Sequence, residues 1–183
     1  MAIEGLSYVL EFVTREEEAA LIAAVDAEPW LTELWRRVQH YGYRYDYRAR
    51  AVDPSLRLGP LPEWVAFLTR RLVAGGHMPT APDQLIVNEY QPGQGIGAHV
   101  DAPAFGPVIA SVSLGAPCVM NFVEVAGTGR EQLVLEPRSL LVLAGPARSR
   151  WKHGIPVRGS DRIGDRDVPR GRRVSLTFRT VPA

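Results

Sequence analysis

With 183 residues, 46% of them hydrophobic, the chain can bury one sizeable core, and wholesale disorder is excluded. The lone cysteine, Cys118, excludes an internal disulfide and a thiolate metal cluster. No secretory signal and no membrane-length apolar run are visible, so the chain is expected in the cytoplasm, away from membranes. A formal charge of +1 argues against tight non-specific nucleic-acid binding, but it hides an acidic stretch over 1–34 and a basic one over 148–179. The basic stretch either meets phosphate or a carboxylate ligand, or simply faces solvent.

The first element reads as a helix. Thr14 and Glu17 form a capping box, and the apolar face that follows ends at Pro29. A strand is expected over 38–48, where Tyr41, Tyr43, Tyr45 and Tyr47 alternate and would share one face. That row suits sheet packing or base stacking. A second helix over 62–74 starts at Pro62 and ends at Gly75-Gly76. From residue 84 short strands alternate with Gly and Pro, at 84–90, 99–101, 108–114, 118–124, 131–135, 139–144, 153–157 and 172–180. Many short strands of this kind predict a mainly β fold, a sandwich, barrel or jelly roll, flanked by the helices.

His99-Val100-Asp101 is the first chemical motif. On a strand, residues two apart point the same way, so an imidazole and a carboxylate could converge on one ion. A second histidine from a distant strand would complete the two-His, one-carboxylate face that leaves room for co-substrate and oxygen on non-haem iron. His153, after the apolar run SLLVLAG, is the best placed; a hydrogen-bonded core histidine is the alternative. In RGRRVSLTFR, Arg173, Ser175, Thr177 and Arg179 share one face, while Val174, Leu176 and Phe178 share the other. A polar strand face of this kind fits an interior pocket in which a guanidinium clamps a carboxylate. Asn88 and Tyr90 alternate similarly on 84–90. The segment Gly93–Gly97 lacks the Lys-Ser/Thr pair of a phosphate loop and reads as a flexible turn.

Together, NEYQPGQGIGAHVD, SVSLGAPCVMNF, SLLVLAGPARSRWKHGI and RGRRVSLTFR resemble the AlkB family of iron(II)/2-oxoglutarate oxygenases over about residues 84–180. Their detail is closer to the tRNA wobble-uridine hydroxylase branch than to the DNA-repair branch. The resemblance implies a double-stranded β-helix core over 84–180, preceded by a helical and substrate-lid region over 1–83, in a single domain. It implies His99, Asp101 and His153 as iron ligands, and Arg173 as partner of the far carboxylate of 2-oxoglutarate. Asn88, Tyr90 and Arg179 complete that pocket, with Ser175 where an asparagine is common. Tyr43, Tyr45 and Arg48 fall where the family has its lid and are the expected substrate contacts. The implied cofactors are Fe(II), 2-oxoglutarate and O2. The implied activity is oxidative dealkylation or hydroxylation of alkylated nucleobases in single-stranded DNA or RNA, by a monomer. The alternatives are the same chemistry on a protein side chain or small molecule, a zinc hydrolase, or a non-catalytic jelly-roll binding module.

Overall fold

A computed structural model describes residues 3–182. Strand β1 (Leu6–Val9) leads to helix α1 (Arg15–Asp26), then to β2 (Arg37–Tyr41), β3 (Tyr43–Asp46) and β4 (Ala51–Arg57). A 3-10 turn at Glu63–Val65 runs into α2 (Ala66–Ala74). The rest is β5 (Gln84–Tyr90), β6 (Ile96–His99), β7 (Ile109–Gly115), β8 (Cys118–Glu124), β9 (Arg130–Leu135), β10 (Leu140–Leu143), the one-turn α3 (Gly145–Ser149), β11 (Trp151–Ile155), β12 (Ser160–Ile163), β13 (Arg166–Pro169) and β14 (Arg173–Arg179).

Six strands form a major sheet in the order β1-β10-β7-β14-β5-β2, and four form a minor sheet in the order β6-β11-β8-β9. All their pairings are antiparallel. The two sheets make the jelly-roll core of a mainly β fold. Two strands of the major sheet, β1 and β2, come from the first 83 residues, so that region helps build the core besides supplying helices and the β3–β4 hairpin.

Period-two alternation sorts the side chains of the major sheet onto two faces. Leu85 and Val87 of β5, Val112 of β7, Leu140 of β10 and Leu176 and Phe178 of β14 pack outward against Leu21 and Val25 of α1 and Leu68 and Leu72 of α2. Each such side chain contributes about 1.5–3 kcal/mol by leaving water. The expected capping box starts α1: Thr14 Oγ1 accepts from Glu17 N–H at 3.1 Å, and Glu17 accepts from Thr14 N–H at 2.8 Å. Arg71 of α2 also binds the Glu17 carboxylate, at 2.8 Å, and joins the two helices. The opposite face of the sheet looks into the space between the sheets. There Tyr90, Ile109, Met120, Phe122, Leu141 and Ile155 form a second apolar cluster. Beside it lie Ser111, Ser175, Thr177, Arg173 and Arg179.

The expected strand over 38–48 is two strands. Gly42, at φ 80°, turns the chain between them, and a Cβ there would lie 1.9 Å from the Asp83 carbonyl oxygen. The tyrosines therefore do not share a face. Tyr41 packs edge-on against Trp64 on the helical side, whereas Tyr45 and Tyr47 belong to the β3–β4 hairpin. The strand expected at 99–101 runs instead from Ile96 to His99, and Asp101 lies beyond its end. Gly95 is less free than a flexible turn implies, because a Cβ on it would meet the Ile155 carbonyl oxygen at 2.2 Å. Arg170 pins the same turn through the carbonyl of Gln94, at 3.2 Å.

The basic segment is largely used inside the molecule. Arg158 and Arg170 bind buried Asp161, Arg172 binds Asp26 and Glu89, and Arg162 binds Asp167. Many of its charges therefore meet acids of the same molecule rather than solvent alone.

Candidate metal centre and its two cavities

His99 ends β6, and His153 lies directly opposite it on antiparallel β11. Cross-strand partners point to the same side of a sheet, and the two ring centroids are 4.5 Å apart. His99 Nδ1 lies 2.8 Å from the Gly97 carbonyl oxygen. A carbonyl only accepts, so Nδ1 carries the proton and the Nε2 lone pair faces Asp101. Asp101 Oδ1 is 3.4 Å from His153 Nε2 and 3.7 Å from His99 Nε2. One ligand atom from each of the three lies within 4.8 Å of the others. An ion about 2.1 Å from each donor spans separations of up to about 4.2 Å, which includes both Asp101 distances. The three residues expected from the sequence are thus brought together, although from a strand end, a loop and a second strand.

The electrostatics suit a cation. Burial alone would raise the Asp101 pKa, but Arg179, with Nε donating to Oδ2 at 2.6 Å, and then His153 hold it well below the usual carboxylate range. Burial pushes His153 down to about 4, so its imidazole is neutral and its lone pair free at physiological pH.

A small cavity of about 60 Å³ lies between the triad and β14, bounded by Asn88, Tyr90, Arg173, Ser175 and Arg179, all expected there. Arg173 donates to Ser113 Oγ at 2.9 Å and sits 5.3 Å from the Tyr90 ring centroid. Asp101 Oδ1, Arg173 Nε and Arg179 Nη1 are buried without a hydrogen-bond partner. Such atoms are costly unless something satisfies them. A metal on Asp101 and an acidic co-ligand on the guanidinium groups would do so, and the residues present fit both.

A larger cavity, about 320 Å³, adjoins the first at His99 and Asp101. Tyr45 lines it, together with Tyr47, Phe105, Arg36 and Arg50. Tyr45 packs against Phe105 at 5.4 Å and edge-on to Tyr47 at 4.9 Å. Arg48 lies elsewhere, in an outer hollow of the hairpin, and Tyr43 pairs with Arg57 in the β3–β4 ladder and lines neither cavity. His40 supports the hairpin from below. Its Nδ1 accepts from Tyr45 N–H at 3.1 Å, which leaves Nε2 to donate to the Tyr47 oxygen at 3.3 Å.

Sequence reasoning missed Arg148. From α3 it donates to the carbonyls of Asp101 and Ala102 at 2.8 and 2.9 Å, and to those of Gly106 and Phe105 at 3.3 and 3.4 Å. Arg50 holds the Val100 carbonyl at 2.7 Å. The loop carrying the carboxylate is thus fixed by two arginines with no local signal in the sequence.

Residues 29–179 match the model of the 2OG-Fe(II) oxygenase superfamily. The chain belongs to that superfamily. Within it the chain is AlkB-like. It is 40% identical to the "Alkylated DNA repair protein ALKBH8 homolog" of Arabidopsis thaliana, over 98% of this chain and 59% of the relative. It is 37% identical to the mouse "tRNA (carboxymethyluridine(34)-5-O)-methyltransferase ALKBH8", over 97% of this chain and 30% of the relative. This chain thus spans under two thirds of either relative. The solved structure of OsALKBH1 superposes with a TM-score of 0.76 at 18% identity, covering 96% of both chains, a likeness of fold. This AlkB-like oxygenase is therefore an Fe(II)- and 2-oxoglutarate-dependent dioxygenase using O2. Among the described residues no helix is long and apolar enough to cross a membrane.

Proposed function

We propose that this dioxygenase oxidatively dealkylates or hydroxylates alkylated nucleobases in single-stranded DNA or RNA. The observation carrying this reading is the aromatic cavity of Tyr45, Tyr47 and Phe105, which adjoins the His99–Asp101–His153 triad and can take a flat ring. Aromatic walls accept any base face by stacking, and an extruded or single-stranded base can enter such a pocket.

In this reading His99, Asp101 and His153 hold the iron on one face. Bound there with 2-oxoglutarate and O2, iron supplies the oxidising power for a substrate C–H bond. Asp101 stays ionised because Arg179 offsets its burial. His153 stays neutral because it is buried. Arg173, anchored by Ser113 and backed by Tyr90, receives the far carboxylate of 2-oxoglutarate in the small cavity. Ser175 and Asn88 lie on its walls. Phe105 lines the cavity, and Arg148 fixes the loop that carries Asp101.

The test is a panel of methylated DNA and RNA oligonucleotides, with methylated peptides beside them, incubated with Fe(II), 2-oxoglutarate and ascorbate. Product mass is the readout. Loss of a methyl group or gain of one oxygen on an oligonucleotide is expected. Oxidation confined to peptides would transfer the same chemistry to a protein substrate.

A further inference from the structure

The strand pair that brings the two histidines together is weakly determined by its own ladder. Strand β6 has four residues and lies at the edge of the minor sheet, with β11 beside it. His99 pairs with His153 and Ile96 with Ile155, so three steps along β6 match two along β11 and the ladder is bulged between them. A short, bulged edge strand can change register at little cost. The end of the pair away from the histidines is held by Arg170, which directly follows β13 and is buried. Its Nε donates to Asp161 Oδ2 at 2.8 Å and its Nη2 to Asp161 Oδ1 at 3.0 Å. The remaining nitrogen, Nη1, donates to the Pro156 carbonyl at 2.6 Å and to the Gln94 carbonyl at 3.2 Å. Pro156 directly follows β11, and Gln94 lies just before β6, so one guanidinium arm joins the end of one strand to the approach of the other. Asp161 is itself fixed, accepting from Val119 N–H of β8 at 3.1 Å and from Arg158 at 2.8 Å.

We propose that Arg170 is a positioning residue for the metal centre: by tying the Gln94 and Pro156 carbonyls to buried Asp161, it sets the register of β6 on β11 and keeps His99 opposite His153. This rests on the reading of His99, Asp101 and His153 as the iron ligands. Among the described residues no hydrogen bond joins Arg170 to either histidine, so it acts through the two strands. The close seat of Gly95 on the Ile155 carbonyl works in the same direction, because the turn fits β11 in one position only. Lysine would keep a charge for Asp161 but cannot reproduce a fork that holds a carboxylate by two bonds and two carbonyls at once.

Co(II) serves as the probe metal. Arg170→Lys should bind it about tenfold or more weakly than the wild type, the scale of loss when a group that orients a metal ligand is removed. In the Co(II)-loaded wild type each ligating imidazole should give one exchangeable, paramagnetically shifted N–H proton signal, and in the lysine variant one of them should move or vanish. Glu17→Gln, which breaks the Arg71 link in the helical layer, is the control for stability alone. It should lower the melting temperature while keeping both signals and a Co(II) affinity within about twofold of wild type. Gly95→Ala lifts the turn from Ile155 with Arg170 intact; it should repeat the loss, and it keeps the test valid if the lysine variant is unstable. Wild-type affinity with both signals unmoved in either folded variant, or an equal loss in Glu17→Gln, would overturn the proposal. His153→Ala separates the proposal from the ligand reading. If His153→Ala loses Co(II) and Arg170→Lys does not, the positioning role alone fails. If His153→Ala still binds Co(II) as the wild type does, the ligand reading fails and the positioning role with it.

Discussion

At the scale of single residues, the triad and the arginine behind it have separable effects. Asp101 is 5% exposed, and its Oδ1 lacks a hydrogen-bond partner. Removing a metal ligand should abolish 2-oxoglutarate turnover, so His153→Ala is expected to be inactive while remaining folded. Arg173 lines the small cavity proposed for 2-oxoglutarate and is not one of the triad. Arg173→Ala should chiefly raise the KM for 2-oxoglutarate, by tenfold or more, because loss of a charge-assisted bond is worth about 1.5–3 kcal/mol. A comparable loss of metal affinity would count against that assignment. His40 carries a pH dependence. Burial lowers its pKa from 6.5 to about 4. Between those values the unfolded chain binds more protons at this position than the folded one, so stability falls as pH drops from about 6.5 to about 4. The loss is at most about 3 kcal/mol. Denaturant titrations of wild type and His40→Asn across that range should differ in slope, with the variant flatter.

At the scale of elements, the strands lead to the site and the loop sets its geometry. Gly154 sits where a Cβ would lie 2.8 Å from the Ala98 backbone nitrogen. Gly154→Ala should therefore push β6 away from β11 and cost about 1–3 kcal/mol. It should also weaken metal binding, measured by Co(II) titration, because the two histidines face each other across that pair. The loop after His99 depends on Arg148. Lysine cannot reproduce its fork across four carbonyls. Arg148→Lys is expected to weaken metal binding severalfold while leaving far-UV dichroism unchanged.

The same elements show what could be read from the sequence. Strand β14 was legible because its alternation is unbroken: Val174, Leu176 and Phe178 face the helices, and Arg173 and Arg179 face the interior. The capping box of α1 was legible because both partners lie within one turn. The strand over 38–48 was read as continuous because Gly42 breaks a tyrosine pattern that looks unbroken, and a positive φ at one glycine has no periodic signature. Arg148 could not be found at all, since its partners are backbone carbonyls 42 to 47 residues away. Side chains that recognise backbone leave no pattern of residue types.

For the whole molecule, several acids of the N-terminal stretch are tied to arginines far along the chain. Arg172 binds Asp26 across 146 positions, and Arg138 binds Glu11 and Glu18 across 127 and 120. These pairs fasten the helical layer and the N-terminal turn to the sheets, although partly exposed pairs of this kind each add little. More stability should come from the metal. A ligand of the folded state alone adds about 2.7 kcal/mol at a hundred times its Kd, which raises the melting temperature by roughly 5–10 °C for a chain of this size. Mn(II) should produce that shift in the wild type and not in His153→Ala, as read by calorimetry.

The direct opposition of His99 and His153 reaches beyond catalysis. Sliding β6 by a single residue along β11 would turn one imidazole outward and leave the other alone. The ion then becomes an inspector of threading: it rewards the one alignment that presents both nitrogens, and a misaligned strand pair stays unligated and free to try again.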